Sequence, residues 1–249
     1  MKLVLTRPSV KLKLARLLQS QGMGTRRSCI ARIKAGEVSV NGSICLNPDA
    51  LFDTENLQFG IAGDTWLYRE KVYLALHKPA GYECSHQPVH HPSVFTLLPV
   101  PLRERGVQCV GRLDQDTTGL LLMTDDGGFI HRATSPARHI GKVYQVQCKH
   151  PVDDAQMMQL LAGVSLRDAP DVVAALACTR IAPDTVQLTI AEGKYHQVKR
   201  MLASVGNRVA ALHRVAIGAY RLPDELLPGA WRWLSDEDVK QVETKSGGT

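Results

Sequence analysis

Gly111-Arg112-Leu113-Asp114-Gln115-Asp116-Thr117-Thr118-Gly119-Leu120-Leu121-Leu122-Met123-Thr124 runs from a turn into a strand. Leu120 to Met123 is a short continuous apolar run bounded by turn signals, the pattern of a strand. Asp116-Thr117-Thr118-Gly119 supplies the turn chemistry ahead of it. Asp114 precedes that turn and stands just behind Arg112, so a carboxylate is delivered beside a cation at the mouth of an apolar strand. A nearby positive charge holds a carboxylate ionised, which makes Asp114 the first candidate for a chemical role.

Downstream of this stretch, Asp125-Asp126-Gly127-Gly128 opens a short helix through His131 and Arg132, closed by Thr134-Ser135-Pro136. Lys142 to Cys148 alternates as a strand and carries Tyr144. Asp153 to Leu161 has helical spacing, with Met157 and Met158 read as core filler. Strands follow at about 172–180 and 185–191. Glu192-Gly193-Lys194-Tyr195-His196-Gln197-Val198-Lys199-Arg200-Met201-Leu202 then turns on glycine into a helix. Its apolar face is Val198, Met201, Leu202 and Val205; His196 and Arg200 share the opposite face, with Lys199 at the edge. A helix start of this kind suits a phosphate or a carboxylate, although taken alone it reads as an exposed basic face. Upstream, Val72 to Tyr82 is a strand running into the Pro79-Ala80-Gly81 turn. Strands and helices mix without regular alternation, which predicts an α+β fold rather than a doubly wound sheet.

The first 40 residues differ from the rest. They hold nine Lys/Arg (Lys2, Arg7, Lys11, Lys13, Arg16, Arg26, Arg27, Arg32 and Lys34) against one acid, Glu37, while the whole chain carries only +6. A basic head on a nearly neutral body points to a polyanion partner. Leu12, Leu14, Ala15, Leu17 and Leu18 predict a first helix, ended by Gly22-Met23-Gly24. Thr25 is the expected N-cap of a second, basic helix with Ile30 and Ile33 inward, stopped by Ala35-Gly36. Val38 to Val40, the Asn41-Gly42 turn and Ser43 to Leu46 form a hairpin. Residues 47–70 alternate only weakly, so the domain boundary is set there: 1–62 head, 63–70 linker, 71–243 body and a disordered tail over 244–249.

Other classes are set aside. There is no membrane-length apolar run and no signal-peptide core, so a cytoplasmic protein is expected. Cys29, Cys45, Cys84, Cys109, Cys148 and Cys178 lack zinc or disulfide spacing and are read as reduced thiols. His86, His90 and His91 lie among prolines without further ligands and are read as a surface loop, so no metal site is expected. No Walker or dinucleotide motif occurs, and no cofactor is expected. A hydrolase would want a second carboxylate as acid or base; Asp116 is read instead as part of the turn.

In combination, Lys78-Pro79-Ala80-Gly81, His91-Pro92-Ser93-Val94, Gly111 to Gly127, His131 to Pro136 and Glu192 to Met201 resemble the motifs of the pseudouridine synthases, which isomerise uridine within RNA. The resemblance covers nearly the whole chain, and is greatest to the bacterial ribosomal small-subunit pseudouridine synthase A group. The head, through Gly24 to Ser28 and Lys34 to Gly42, resembles the alpha-L (S-four-like) RNA-binding domain of a small-subunit ribosomal protein. The resemblance implies such a head followed by a catalytic domain on a mixed, mainly antiparallel sheet. It implies Asp114 as nucleophile, Tyr144 as the ring that stacks on the flipped uracil, and Lys199 as the cation paired with the aspartate. It also implies Arg112 in the gap left by the flipped base and Ile190 as an apolar wall. His196 and Arg200 would contact substrate, and Arg26, Arg27, Arg32 and Lys34 would grip RNA phosphates. The implied partner is 16S rRNA or a small-subunit assembly intermediate, by resemblance at uridine 516, without a membrane partner and as a monomer. Lys11 to Arg16 and Gly24 to Ser28 are as similar to large-subunit members, and a lead of about nine residues precedes them. A 23S rRNA target, or a non-catalytic ribosome-assembly RNA-binding role, therefore stays open.

Overall fold

The computed structural model describes residues 10–166 and 172–244. The lead over residues 1–9, with Lys2 and Arg7, and the tail beyond residue 244 lie outside the described residues. The chain divides into two compact units, residues 1–71 with 98–107, and residues 72–97 with 108–249.

The first unit begins with strand β1 (Lys11–Lys13) and helix α1 (Leu14–Ser20). The sequence suggests helix from Leu12, but Lys11–Lys13 instead pairs antiparallel with β4 (Leu51–Asp53). The pairing chain also supplies partners for the helix's first amide groups, as Leu14 N donates to Ala50 O and Ala15 N to Pro48 O. These are donors that a helix start otherwise leaves unsatisfied. Leu14, Ala15, Leu17 and Leu18 are buried, as their spacing implies. In α2 (Arg26–Lys34) the Thr25 side chain accepts from Ser28 N at 3.2 Å, the expected cap. The helix buries Cys29 and Ile33, while Ile30 is only half-buried.

The hairpin of β2 (Val38–Val40) and β3 (Ser43–Ile44) turns at Asn41 and Gly42, both with positive φ, as a tight primed turn requires. Residues 47–70 hold more strand than their weak alternation suggests. After β4 come β5 (Gln58–Ile61) and β6 (Asp64–Leu67), the latter within the stretch read as a linker. The sheet order is β3-β2-β5-β6, all antiparallel. Helix α3 (Val100–Glu104) belongs to the same unit. Arg105, just after it, donates to Gln21 Oε1 and Arg69 O, both at 2.9 Å.

The second unit contains β7 (Tyr73–Lys78), β8 (Gln108–Cys109), β9 (Thr118–Thr124), α4 (Gly127–Thr134), β10 (Lys142–Cys148) and α5 (Asp154–Ala162). It continues through β11 (Val164–Ser165), β12 (Val172–Val173), β13 (Ala177–Ala182), β14 (Thr185–Ile190), α6 (Gln197–Ser204) and β15 (Val209–Ile217). It ends with β16 (Tyr220–Arg221), β17 (Trp231–Trp233) and α7 (Asp236–Glu243). The main sheet runs β13-β14-β10-β15-β9-β7-β17, with β8 on β9 and β16 on β15. Its pairs are antiparallel except β15 with β9, which run parallel through His213↔Thr118 and Arg214↔Gly119. This is the mixed, mainly antiparallel sheet expected. Phe129 and Ala133 of α4 and Val242 of α7 pack on Ala75, Leu120 and Leu122. Leu121 and Met123 are buried as well, so β9 is covered throughout its apolar run. Among the described residues no helix is long and apolar enough to cross a membrane.

Candidate active site

The loop that delivers Asp114 is tied down by Lys78, which opens the Lys78-Pro79-Ala80-Gly81 motif and has no role of its own legible in the sequence. Lys78, at the end of β7, is fully buried. Its Nζ donates to Pro79 O at 3.0 Å, Gln115 O at 3.1 Å and Thr117 O at 2.9 Å. Two of these acceptors flank Asp116 in the turn, so one ammonium fixes the path of the loop. Burial pushes the Lys78 pKa down, against the charges of Asp116 and Asp114. Cys84 also braces this loop, accepting from Leu113 N–H beside Cys109, which donates to it; that hydrogen bond pushes the Cys84 thiol down.

Asp114 faces the start of α6. Lys199 Nζ lies 3.2 Å from Asp114 Oδ2, and His196 Nε2 lies 3.4 Å from Oδ1. His196 and Lys199, at the start of α6, thus meet a carboxylate more than 80 residues earlier in the chain. Asp116 is more than a turn residue, since Lys199 Nζ also donates to its Oδ1 and Oδ2 at 2.8 and 2.9 Å. Burial acts to lower the Lys199 pKa, but its hydrogen bond to Asp116 and the Asp114 charge leave it raised. Burial likewise acts to raise Asp116, and the Lys199 hydrogen bond leaves that carboxyl lowered.

The turn into α6 is itself held. Gln197 is buried, donates to Glu192 Oε2 at 2.8 Å and accepts from Lys194 N at 3.0 Å. His196 takes a left-handed φ of 50° at the helix cap. Tyr195, 71% exposed, stacks on the His196 ring with centroids 3.8 Å apart. Arg200 Nη1 reaches Tyr195 O at 3.4 Å, and Arg200 does not line the cleft around Asp114.

Tyr144 sits on β10 between Leu188 of β14 and Arg214 of β15 and is 8% exposed. A cleft of about 70 Å³ joins Arg112, Asp114, Tyr144, Ile190, His196 and Lys199. Arg112 is exposed and Ile190 buried. A second cavity, about 350 Å³, shares Arg112 and Tyr144 with the first and adds Val110, Lys142, Arg214 and Ile217. Lys142 Nζ donates to Ala191 O at 2.7 Å, and burial, then the Arg214 charge, push it down to about 8. An open groove of about 440 Å³ runs along Glu83, Arg112, Asp114, Tyr195 and His196.

The other predicted residues are not part of this cluster. Arg26, Arg27 and Lys34 are exposed on α2 of the first unit, and Arg32 is paired with Glu37 at 3.1 Å. His90 and His91 lie in a loop organised by Glu83, whose carboxylate accepts their backbone N–H groups and that of Val89. His86 stacks on Phe95.

A loop-borne carboxylate flanked by a lysine and a histidine, a buried tyrosine and a cavity at its side are parts that would suit a planar ring. Comparison with known proteins gives the family of the chain. A family profile described as RNA pseudouridylate synthase matches residues 72–204. The ribosomal small subunit pseudouridine synthase A of Yersinia pestis is 42% identical over 232 residues, 90% of this chain and 95% of its own. That of Escherichia coli (strain K12) is 40% identical over 234 residues, 90% and 96% of the two chains. A crystal structure of a pseudouridylate synthase matches at a TM-score of 0.66 and 33% identity, over 93% of this chain and 99% of that one.

Proposed function

The chain belongs to the RNA pseudouridylate synthase family, and from that membership we propose that it converts one uridine of 16S ribosomal RNA, uridine 516 by resemblance, to pseudouridine. The observation that carries the mechanism is the Asp114 carboxylate held 3.2 Å from Lys199 and 3.4 Å from His196, in a cleft that also contains Tyr144. The reaction breaks the bond from ribose C1′ to uracil N1 and makes one from C1′ to C5. C5 gives up a proton and N1 gains one, so no redox partner is consumed.

Asp114 is the nucleophile that engages the nucleoside as the first bond breaks, and Lys199 keeps its charge paired. The uridine must leave its stack to reach the carboxylate. Tyr144 then stacks on the ring, Ile190 walls the cleft, and Arg112 fills the gap in the RNA. His196 and Arg200 face the backbone beside the cleft. Arg26, Arg27, Arg32 and Lys34 of the head hold phosphates, which gives affinity rather than chemistry. The substrate is the RNA itself or a small-subunit assembly intermediate, met by a monomer in the cytoplasm.

Carbodiimide mapping of 16S and 23S rRNA from cells with and without the gene tests the whole reading. Loss of one 16S site, restored by the wild-type gene and not by Asp114→Asn, is the expected result. Loss of a 23S site would keep the reaction and change the target. No lost site in either RNA would replace catalysis with RNA binding. Tyr144→Phe separates stacking from a part in deprotonating C5 of the rotated base, since it keeps the ring and removes the hydroxyl. Near-normal turnover by that variant would assign Tyr144 to stacking alone.

A further inference from the structure

Arg214, on the cavity beside Tyr144, carries a donor that has no acceptor among the described residues. Arg214, in β15, is 3% exposed. Its Nε donates to Leu120 O at 2.8 Å, and its Nη1 reaches Tyr144 Oη at 3.4 Å. Those contacts fix the plane of the guanidinium. Among the described residues its Nη2 is buried with no hydrogen-bond partner, and Arg214 lines the cavity of about 350 Å³ with Tyr144, Val110 and Ile217. That size falls within the roughly 300–1,000 Å³ of small-molecule sites. A buried donor on a charged group is costly to leave unsatisfied. Here it belongs to a side chain that lines a cavity sharing Tyr144 and Arg112 with the Asp114 cleft.

Resting on the reaction proposed above, we propose that Arg214 Nη2 donates to a carbonyl oxygen of the extruded uracil and so makes the site select uracil over cytosine. The chemistry of the rearrangement favours such a donor. Uracil has a near two-fold axis through N3 and C6 that exchanges N1 with C5 and the C2 carbonyl with the C4 carbonyl. Turning the detached base so that C5 replaces N1 opposite ribose C1′ therefore puts one carbonyl where the other was. A fixed donor meets an oxygen both before and after the turn, and holds substrate and product alike without moving. Cytosine carries an amino group at C4, so in one of the two orientations donor would face donor. A site built to pair a buried polar group discriminates strongly against a base that leaves it unpaired. Lys142 and Glu192 line the same cavity with opposite charges, and among the described residues neither is a partner of Nη2.

The test uses a short RNA carrying the uridine located by the mapping experiment, made with uridine, 4-thiouridine or 2-thiouridine at that position. Sulfur is a weak acceptor, so wild-type kcat/KM should fall roughly ten- to hundredfold for at least one thio base, the range for a lost hydrogen bond to a charged group. Arg214→Gln should be slower on uridine and indifferent to the same sulfur, because the contact is already gone. Undiminished wild-type turnover of both thio bases would overturn the proposal, as would a folded Arg214→Gln protein that keeps the full thio penalty. Should Arg214→Gln fail to fold, the wild-type series alone decides. Failure of the wild type on unmodified uridine would instead refute the reaction, leaving the two readings distinguishable.

Discussion

At the scale of single residues, the site is a competition for a few cations. Lys199 is closer to Asp116 than to Asp114, 2.8 Å against 3.2 Å. If Asp114 is the nucleophile and Asp116 only shares the cation, the two carboxylates answer differently to the same change. Asp114→Asn should abolish turnover while RNA affinity stays near that of the wild type. Asp116→Asn frees Lys199 for Asp114 and should leave turnover within about tenfold, since one partly exposed ion pair contributes little. Single-turnover assays with binding measured in parallel would show it, and comparable loss in both variants would make the pair, not Asp114, the functional unit. Lys142 permits a test by pH. Its folded pKa is about 8 against an ordinary 10.5, so between those values the unfolded chain binds more protons and stability rises with pH. Below pH 8 the ammonium is charged in both states and its desolvation penalty is fully present. Wild type should therefore gain stability relative to Lys142→Met as pH moves from 8 to 10.5. Chemical denaturation of both proteins at matched pH reads that difference, and a constant gap across the window would place Lys142 in water.

At the scale of elements, the parallel contact of β9 and β15 brings the loop before β9 alongside the strand that carries Arg214. Gly119 permits the approach. It has φ +104°, and a Cβ there would lie 2.3 Å from Arg214 O and 2.7 Å from Arg214 N. Gly119→Ala should destabilise the protein by about 2–4 kcal/mol, the combined cost of a strained backbone and overpacking. Gly81→Ala is the control, with a positive φ and nothing within 4 Å of its Cβ; it should cost about 1 kcal/mol for backbone strain alone. Equal losses in urea denaturation would mean that the sheet yields at Gly119. The same contrast explains what was legible in the sequence. Lys142–Cys148 declared itself through strict alternation, Thr25 through capping chemistry and Asn41-Gly42 through turn chemistry, all of which are local. Lys11–Lys13 misled because its strand partner is the distant Leu51–Asp53. Neither the role of Lys78, though it opens a quoted motif, nor any part for Arg214 was legible, because their acceptors lie 37 and 94 residues away, at Gln115 and Leu120. A buried cation with a remote carbonyl partner leaves no periodicity to read.

At the scale of the molecule, the excess positive charge belongs to the first unit and the cluster that would do the chemistry to the second. On α2, Arg26, Arg27 and Lys34 are exposed, while Arg32 is held by Glu37 at 3.1 Å. Exposed cations on a helix face are the ones able to displace counterions from RNA, whereas Arg32 must first give up a carboxylate. The head can therefore be tested without deleting it, which avoids exposing the core that includes Leu14, Leu17 and Leu18. Replacing Arg26, Arg27 and Lys34 together by glutamine should weaken RNA binding and reduce the slope of log affinity against log salt by about 2, at roughly 0.7 per contact for single-stranded RNA. Turnover at saturating RNA should be unchanged, because none of the three lines the Asp114 cleft. Arg32→Gln alone should change the slope less than any one of them, since its charge is already partly neutralised. Filter binding across a salt series, paired with turnover at saturation, separates the alternatives. An unchanged slope would remove the head as the phosphate grip, and a fall in saturated turnover would mean that the head does more than bind.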